Sequence, residues 1–330
     1  MSNLSHLLAA YHKHPSVLKI SQSLESQANS ARIKLTGLTG AQESFVVAAT
    51  VKNQKSKVNP CHLFIANSKE EAAYRQNDLE GLLDDQAVYF FPDSFKRPAF
   101  FDDLNPTQML QRSEVISKMT VTPSLERGGW GGVVVTYPEA LFEKVVMPEV
   151  LNQSRIEVKK GEKLDADFVI QVLVEYGFER ADFVFEPGQF SIRGGIIDLF
   201  SFGNELPYRI ELFDDEVDTI RTFDPTTQLS QRNLSSLSIV PNLSTRFRQD
   251  QKVSLFRILP ADTIIWVKDY QFLLDRLQYC FERAEQFASK LTALDAADLR
   301  EMFRDRAFLY PGEVTEDIAE RAMIYLTGFA

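Results

Sequence analysis

Cysteine is nearly absent. Cys61 and Cys280 are the only two among 330 residues, so at most one disulfide could form and no thiol set is available for a structural metal. The four histidines, His6, His12, His14 and His62, lack metal-type spacing to those cysteines. No metal site is expected. Long apolar runs are also missing: none approaches the roughly 18 residues that cross a bilayer, and no charged-then-apolar leader follows Met1. The expectation is a cytoplasmic chain with no membrane partner. Repeats and low-complexity tracts are absent as well. What remains is 44% hydrophobic and 25% charged, enough to bury two or three cores.

Positive charge is scarce where it would matter for holding DNA. Formal net charge is −10, and residues 161–226 carry all of it: fifteen acidic residues against Lys163, Arg180, Arg193, Arg209 and Arg221. Binding duplex DNA depends on neutralising phosphates with Lys and Arg, which this stretch is poorly equipped to do. An acidic surface with scattered arginines suits a protein partner, or is simply solvated.

The first ~140 residues alternate short β-branched or aromatic runs with polar helical stretches, the pattern of a parallel sheet covered by helices. Strands are expected at Ile33–Leu35, His62–Ala66, Ala87–Phe91 and Gly132–Thr136. Ser68 with Glu71 three residues later predicts an N-capped helix running to about Leu83, and Thr107–Met119 reads as another. The run Gly128-Gly129-Trp130-Gly131-Gly132 reads as a loop before the strand at Val133.

From about Ile156 the texture changes to closely spaced strands: Phe183–Phe185, Phe190–Ile192, Gly195–Phe200, Tyr208–Phe213 and Glu216–Phe223. Turn residues separate them, as in an antiparallel meander, and one helix from about Asp165 to Tyr176 precedes them and stops at Gly177. After Asp224-Pro225 the texture returns to α/β, with strands near Ser236–Val240 and Thr263–Val267 and a helix from about Tyr270 to Leu291. The acidic Asp214-Asp215-Glu216 link reads as a solvated turn.

A phosphate loop reads G-x-x-x-x-G-K-[ST]: backbone N–H groups wrap the phosphates, the lysine neutralises them and the hydroxyl holds Mg²⁺. After the first strand comes Gly37-Leu38-Thr39-Gly40-Ala41-Gln42-Glu43-Ser44. Gly37, Gly40 and Ser44 keep the outline, but Gln42 stands at the second glycine and Glu43 at the lysine. Replacing that cation by an anion ~4 Å from a phosphate reverses an interaction on the order of 4 kcal/mol. Nucleotide binding is expected to be lost, and no catalytic residue is expected.

Two linked runs point to a family. Phe185-Glu186-Pro187-Gly188-Gln189-Phe190-Ser191-Ile192-Arg193-Gly194-Gly195-Ile196-Ile197-Asp198-Leu199-Phe200 is followed by Tyr208-Arg209-Ile210-Glu211-Leu212-Phe213-Asp214-Asp215-Glu216-Val217-Asp218-Thr219-Ile220-Arg221. Together they resemble the module shared by UvrB and the transcription-repair coupling factors. UvrB has an intact loop of the form G-V-T-G-S-G-K-T; the altered Gly37–Ser44 loop is similar to that of the coupling factors. The resemblance implies a fold class of α/β with a degenerate RecA-like (P-loop NTPase-type) parallel-sheet domain, residues 1–141 and 227–330, split by an inserted β-rich antiparallel module at 142–226. It implies UvrA as the module's partner, and a chain that is the amino-terminal part of a longer protein. Contact with the rest of that protein is implied too; ATP, Mg²⁺, RNA polymerase and DNA would be handled by regions beyond this sequence.

Arg180 and Arg193 match arginines of the family's partner-binding face, and a guanidinium suits directional pairing with partner carboxylates. Ion pairs inside the acidic module are the competing role. Alternation along the strands leaves open whether Phe190 and Phe200 face the core or the partner, and both stand as candidates. Arg209 is a further candidate, with Glu211 and Arg221 nearby able to form cross-strand pairs. The rival functions are an active UvrB-like ATP-dependent helicase fragment, or a domain that mainly restrains the parent's motor.

Overall fold

The computed structural model describes residues 3–54, 60–83, 86–101, 104–121, 131–202, 204, 206–241, 251–291, 300, 303 and 307–327. Gly128 to Trp130 of the glycine run lie outside them.

Strands rich in Val, Ile and Leu on both faces must be covered on both sides, which favours a parallel sheet between helices. Cys61–Ile65 and Gly132–Thr136 are buried at every residue. They sit in a six-stranded parallel sheet, ordered Arg32–Thr36, Met323–Thr327, Ile264–Val267, Cys61–Ile65, Gly132–Thr136, Val88–Phe90. Helices Gln42–Asn53 and Lys69–Leu82 pack against each other, as do Pro138–Phe142 and Tyr270–Ala288. The N-cap expected at Ser68 is present: its hydroxyl accepts from Glu71 N at 3.2 Å while Glu71 Oε2 accepts from Asn67 N. The expected α/β class is borne out.

Strands that meet only through the chain's return are tied by a buried polar pair. Trp266 Nε1 donates to His62 Nδ1 at 3.0 Å, and His62 Nε2 lies 2.8 Å from Gln54 Oε1. With Nδ1 accepting, the proton sits on Nε2 and is donated to Gln54. The imidazole is therefore held neutral, and burial pushes its pKa down to about 3.

The second unit is an antiparallel sheet ordered Ser230–Leu234, Glu216–Phe223, Tyr208–Phe213, Ile196–Leu199, Gln189–Arg193, with Glu179–Arg180 added in parallel at the edge. One face buries Phe190, Ile197, Leu199, Ile210 and Ile220 against Val169 and Leu173 of helix Ala166–Glu175. Asp165 caps that helix and Gly177 follows it at φ +79°.

Two expectations need correction. Phe183–Phe185 is not a strand: Gln189 Oε1 accepts from both Phe185 N and Glu186 N, so a side chain supplies what a ladder would, and the segment is a loop. The module also extends past 226. Ser236–Ile239 pairs antiparallel with Ile156–Lys159, and Leu237 and Ile239 enter the module core rather than the α/β body. Pairing thus encloses 156–239, while Val145–Val146 and Lys252–Val253 form a two-stranded stem outside it.

Glycine is demanded at Gly188, where φ is +83° and a Cβ would lie 2.5 Å from the Phe202 ring. Gly194 turns the hairpin at φ +60° with open space around it. Gly188→Ala is expected to cost ~2–4 kcal/mol in urea unfolding, and Gly194→Ala ~1 kcal/mol.

Stability should also fall in acid. His62 has a folded pKa of about 3 against 6.5 unfolded, so the unfolded chain binds the proton first. Its contribution is complete above pH 6.5 and shrinks as pH falls toward 3. Between pH 6.5 and pH 5 the wild-type chain is expected to lose about 2 kcal/mol from this group, and His62→Gln to flatten that limb.

Candidate partner-docking face

Strand alternation decides what the module shows to solvent. Ile197 and Leu199 point into the core, so Asp198 between them points to the opposite face. There it is paired across the ladder with Ser191 on one side and Arg209 on the other. Asp198 is fully buried, a costly place for a carboxylate unless cations meet it. Arg209 meets it with two bonds, Nε to Oδ1 at 2.7 Å and Nη2 to Oδ2 at 2.9 Å. Arg193 Nη2 adds a third at 2.6 Å to Oδ2.

The two arginines differ in what is left over. Arg209 stacks 4.6 Å over the Phe223 ring and donates to Gln228 O, and its bond to Asp198 raises its pKa further. It is a support. Arg193 keeps 42% of its side chain exposed and lies 5.1 Å over the Phe183 ring. Phe183 and Phe185 are themselves 49% and 53% exposed, with ring centroids 6.3 Å apart. Between them Val184 is buried with Phe200 and Phe223, a small second core beneath the loop. The result is one oriented guanidinium beside two half-exposed rings, a combination enriched at binding hot spots. Next along the sheet, Arg221 pairs with Glu211, which also accepts from Thr219.

Of the expected contact residues, Arg193 and Arg209 come together on Asp198. Arg180 does not join them: it is exposed on the edge strand, in register with Phe190, whereas Arg193 faces the other way. Phe190 and Phe200 are corrected from partner contacts to interior residues, at 0% and 5% exposure. Both rings fill cores because packing them there removes more apolar surface from water than a rim position would. Sequence reasoning missed Phe183 and Phe185 as exposed rings. Their signal was the F-V-F run, which puts two aromatics on one side and a buried valine on the other.

On the α/β body, the Gly37–Ser44 loop turns at two glycines, Gly37 at φ +81° and Gly40 at φ +56°, into helix Gln42–Asn53. Gln42 closes the loop on itself: its Oε1 accepts from Thr39 N at 2.9 Å and from Thr39 Oγ1 at 3.2 Å. Glu43 is 3% exposed and receives Arg75 Nη2 at 2.6 Å, with Lys268 Nζ at 3.7 Å. Arg75 Nη1 donates to Gly40 O and to Ser44 Oγ, and Ser44 Oγ donates to Asp78 Oδ2 at 2.8 Å. The carboxylate is thus turned inward and paired rather than left facing solvent. Among the described residues, no group of three or more His, Cys, Asp or Glu could hold a metal ion, and Asp215 of the acidic turn is exposed and pairs with Lys163. Nor is any described helix long and apolar enough to cross a membrane.

Residues 156–244 match the family described as the UvrB interaction domain. The chain is 35% identical over 219 residues to the transcription-repair-coupling factor of Bacillus subtilis, covering 66% of this chain and 18% of that protein. It is 29% identical over 241 residues to the one from Escherichia coli, covering 73% and 20%. For Haemophilus influenzae the figures are 28% over 235 residues, 71% and 19%. The chain therefore spans about a fifth of the length of the curated relatives it matches. The chain is thus similar over about two thirds or more of its length to transcription-repair-coupling factors, and its residues 156–244 match the UvrB interaction domain.

Proposed function

We propose that this chain is a non-catalytic recruiting segment whose module docks UvrA through the face built on Asp198. The observation that carries the reading is the asymmetry of its two arginines. Arg209 neutralises the buried carboxylate, which leaves Arg193 held in place and half exposed beside Phe183 and Phe185. A pre-positioned side chain gives up less entropy on binding than a free one. Such an anchor fits a partner carboxylate with an apolar rim.

The α/β body is then a RecA-like platform that takes no nucleotide, because groups that a nucleotide's phosphates and Mg²⁺ would need are already engaged: Thr39 N by Gln42, Ser44 Oγ by Asp78. The parent protein would be an ATP-dependent DNA translocase that displaces stalled RNA polymerase, and this segment would hand the lesion site to UvrA. Motor, polymerase and DNA contacts belong to regions outside this sequence.

The test is calorimetric binding of the chain to purified UvrA. Arg193→Ala with Phe185→Ala is expected to weaken binding by more than ~2 kcal/mol, roughly 30-fold in Kd, without unfolding, since Arg209 still neutralises Asp198. Arg221→Ala should stay within about 0.5 kcal/mol. Arg209→Ala is expected to cost ~3 kcal/mol of folding stability instead, by stripping the buried carboxylate of two bonds. Undiminished UvrA affinity in the folded Arg193, Phe185 double variant would place the contact elsewhere on the module.

A further inference from the structure

Aromatic side chains collect where helix Tyr270–Ala288 meets Phe303, Phe308 and helix Pro311–Ile318. Phe142 and Phe308 stack at 4.9 Å and 9°, and Phe101 and Phe303 pack around them. The cluster is not closed at its edge. Beyond Phe303 and Phe308 a cavity of about 520 Å³ opens to solvent, with Phe281 and Tyr310 also in its wall. Packed interiors leave few voids larger than a water molecule, whereas ligand pockets run to roughly 300–1,000 Å³. Phe281 and Tyr310 stand perpendicular, at 89° with centroids 5.4 Å apart, so they do not cover each other face to face as Phe142 and Phe308 do. An uncovered ring face attracts cations.

The charged groups of the wall are Lys144, Glu285 and Glu313. Lys144 Nζ lies 3.1 Å from Glu313 Oε1, and Glu313 Oε2 accepts from Tyr310 N at 2.7 Å at the start of its helix. That pair is neutral and fixed in place. Glu285 is exposed, and among the described residues no cation pairs with it, so the cavity carries one uncompensated negative charge. We propose that this cavity receives an arginine side chain from an extended protein segment, its guanidinium against the Phe281 and Tyr310 rings and paired with Glu285. A planar guanidinium both stacks on rings and meets a carboxylate with two bonds, and it is less strongly hydrated than an ammonium. Ala284 and Ala288, one turn apart in the wall, offer only methyl groups, which leaves room beside the helix for the segment's main chain. All these residues belong to the α/β body, so the inference is independent of the Asp198 face.

The probe is a blocked pentapeptide with one arginine between alanines, titrated into the full chain and followed by saturation-transfer NMR. Its partner probe carries citrulline, which keeps the shape of arginine and lacks the charge. The arginine peptide is expected to bind saturably and at least about tenfold more tightly than the citrulline peptide. Glu285→Gln and Tyr310→Leu, each at an exposed position and so expected to fold, should weaken it at least about threefold, the first by removing the charge and the second by removing a ring. Circular dichroism confirms the fold of each variant. Equal binding of the two peptides, no binding of either, or a folded Glu285→Gln chain that binds the arginine peptide as the parent does would overturn the proposal. Free arginine serves as the last arm: saturable binding of the free amino acid with none of the peptide would also overturn it, because the cavity would then take a small molecule and not a residue within a chain.

Discussion

The buried carboxylate of Asp198 is the constraint from which the module's outer face follows. A charge with no solvent exposure has to be met by cations in good geometry, and the fork of Arg209 meets it with two bonds. That fork in turn needs a flat surface to rest on, which Phe223 supplies. The hairpin turned by Gly194 brings Arg193 back beside the same carboxylate, five residues away in sequence. Gly188 lies close against Phe202, and Phe183 lies under Arg193. Removing the carboxylate would leave two arginines with no reason to converge.

The body solves a related problem in the opposite sense. There the cation is the buried group, and the chain answers it with Glu43. In the module, one charge more than neutrality requires is left pointing outward at Arg193; in the loop, the charge is closed off from solvent. Two buried ion-pair clusters of similar chemistry thus leave one unit with a half-exposed guanidinium and the other with its carboxylate turned inward. Among the described residues Arg193 has one ion pair, with a carboxylate that Arg209 already shares.

Much of this was legible in the chain. Tyr208–Phe213 and Glu216–Phe223 were expected at the residues where they occur, because alternation is regular there and an acidic turn separates them. The parallel sheet was legible from its doubly buried apolar runs. What sequence could not supply were pairings between distant segments. Ser236–Ile239 looked like a return to the body because nothing local says that it closes on Ile156–Lys159 at the far end of the module. Glu43 read as a repulsive charge because Arg75, 32 residues on, is on another helix. Phe190 and Phe200 were left open between core and partner because alternation distinguishes two faces of a strand but not which is covered; Val184 and Phe223 cover the second one at Phe200. Their neighbours Phe183 and Phe185, taken for strand residues, are the exposed rings.

The central claim is that the partner meets the Asp198 face and not the α/β body. Hydrogen–deuterium exchange of the chain with and without UvrA measures this directly. The account predicts slowed exchange in peptides covering Phe183–Leu199 and Tyr208–Phe213, with Gln42–Asn53 and Tyr270–Ala288 unchanged. Slowed exchange confined to the body helices, with the module unaffected, would contradict it.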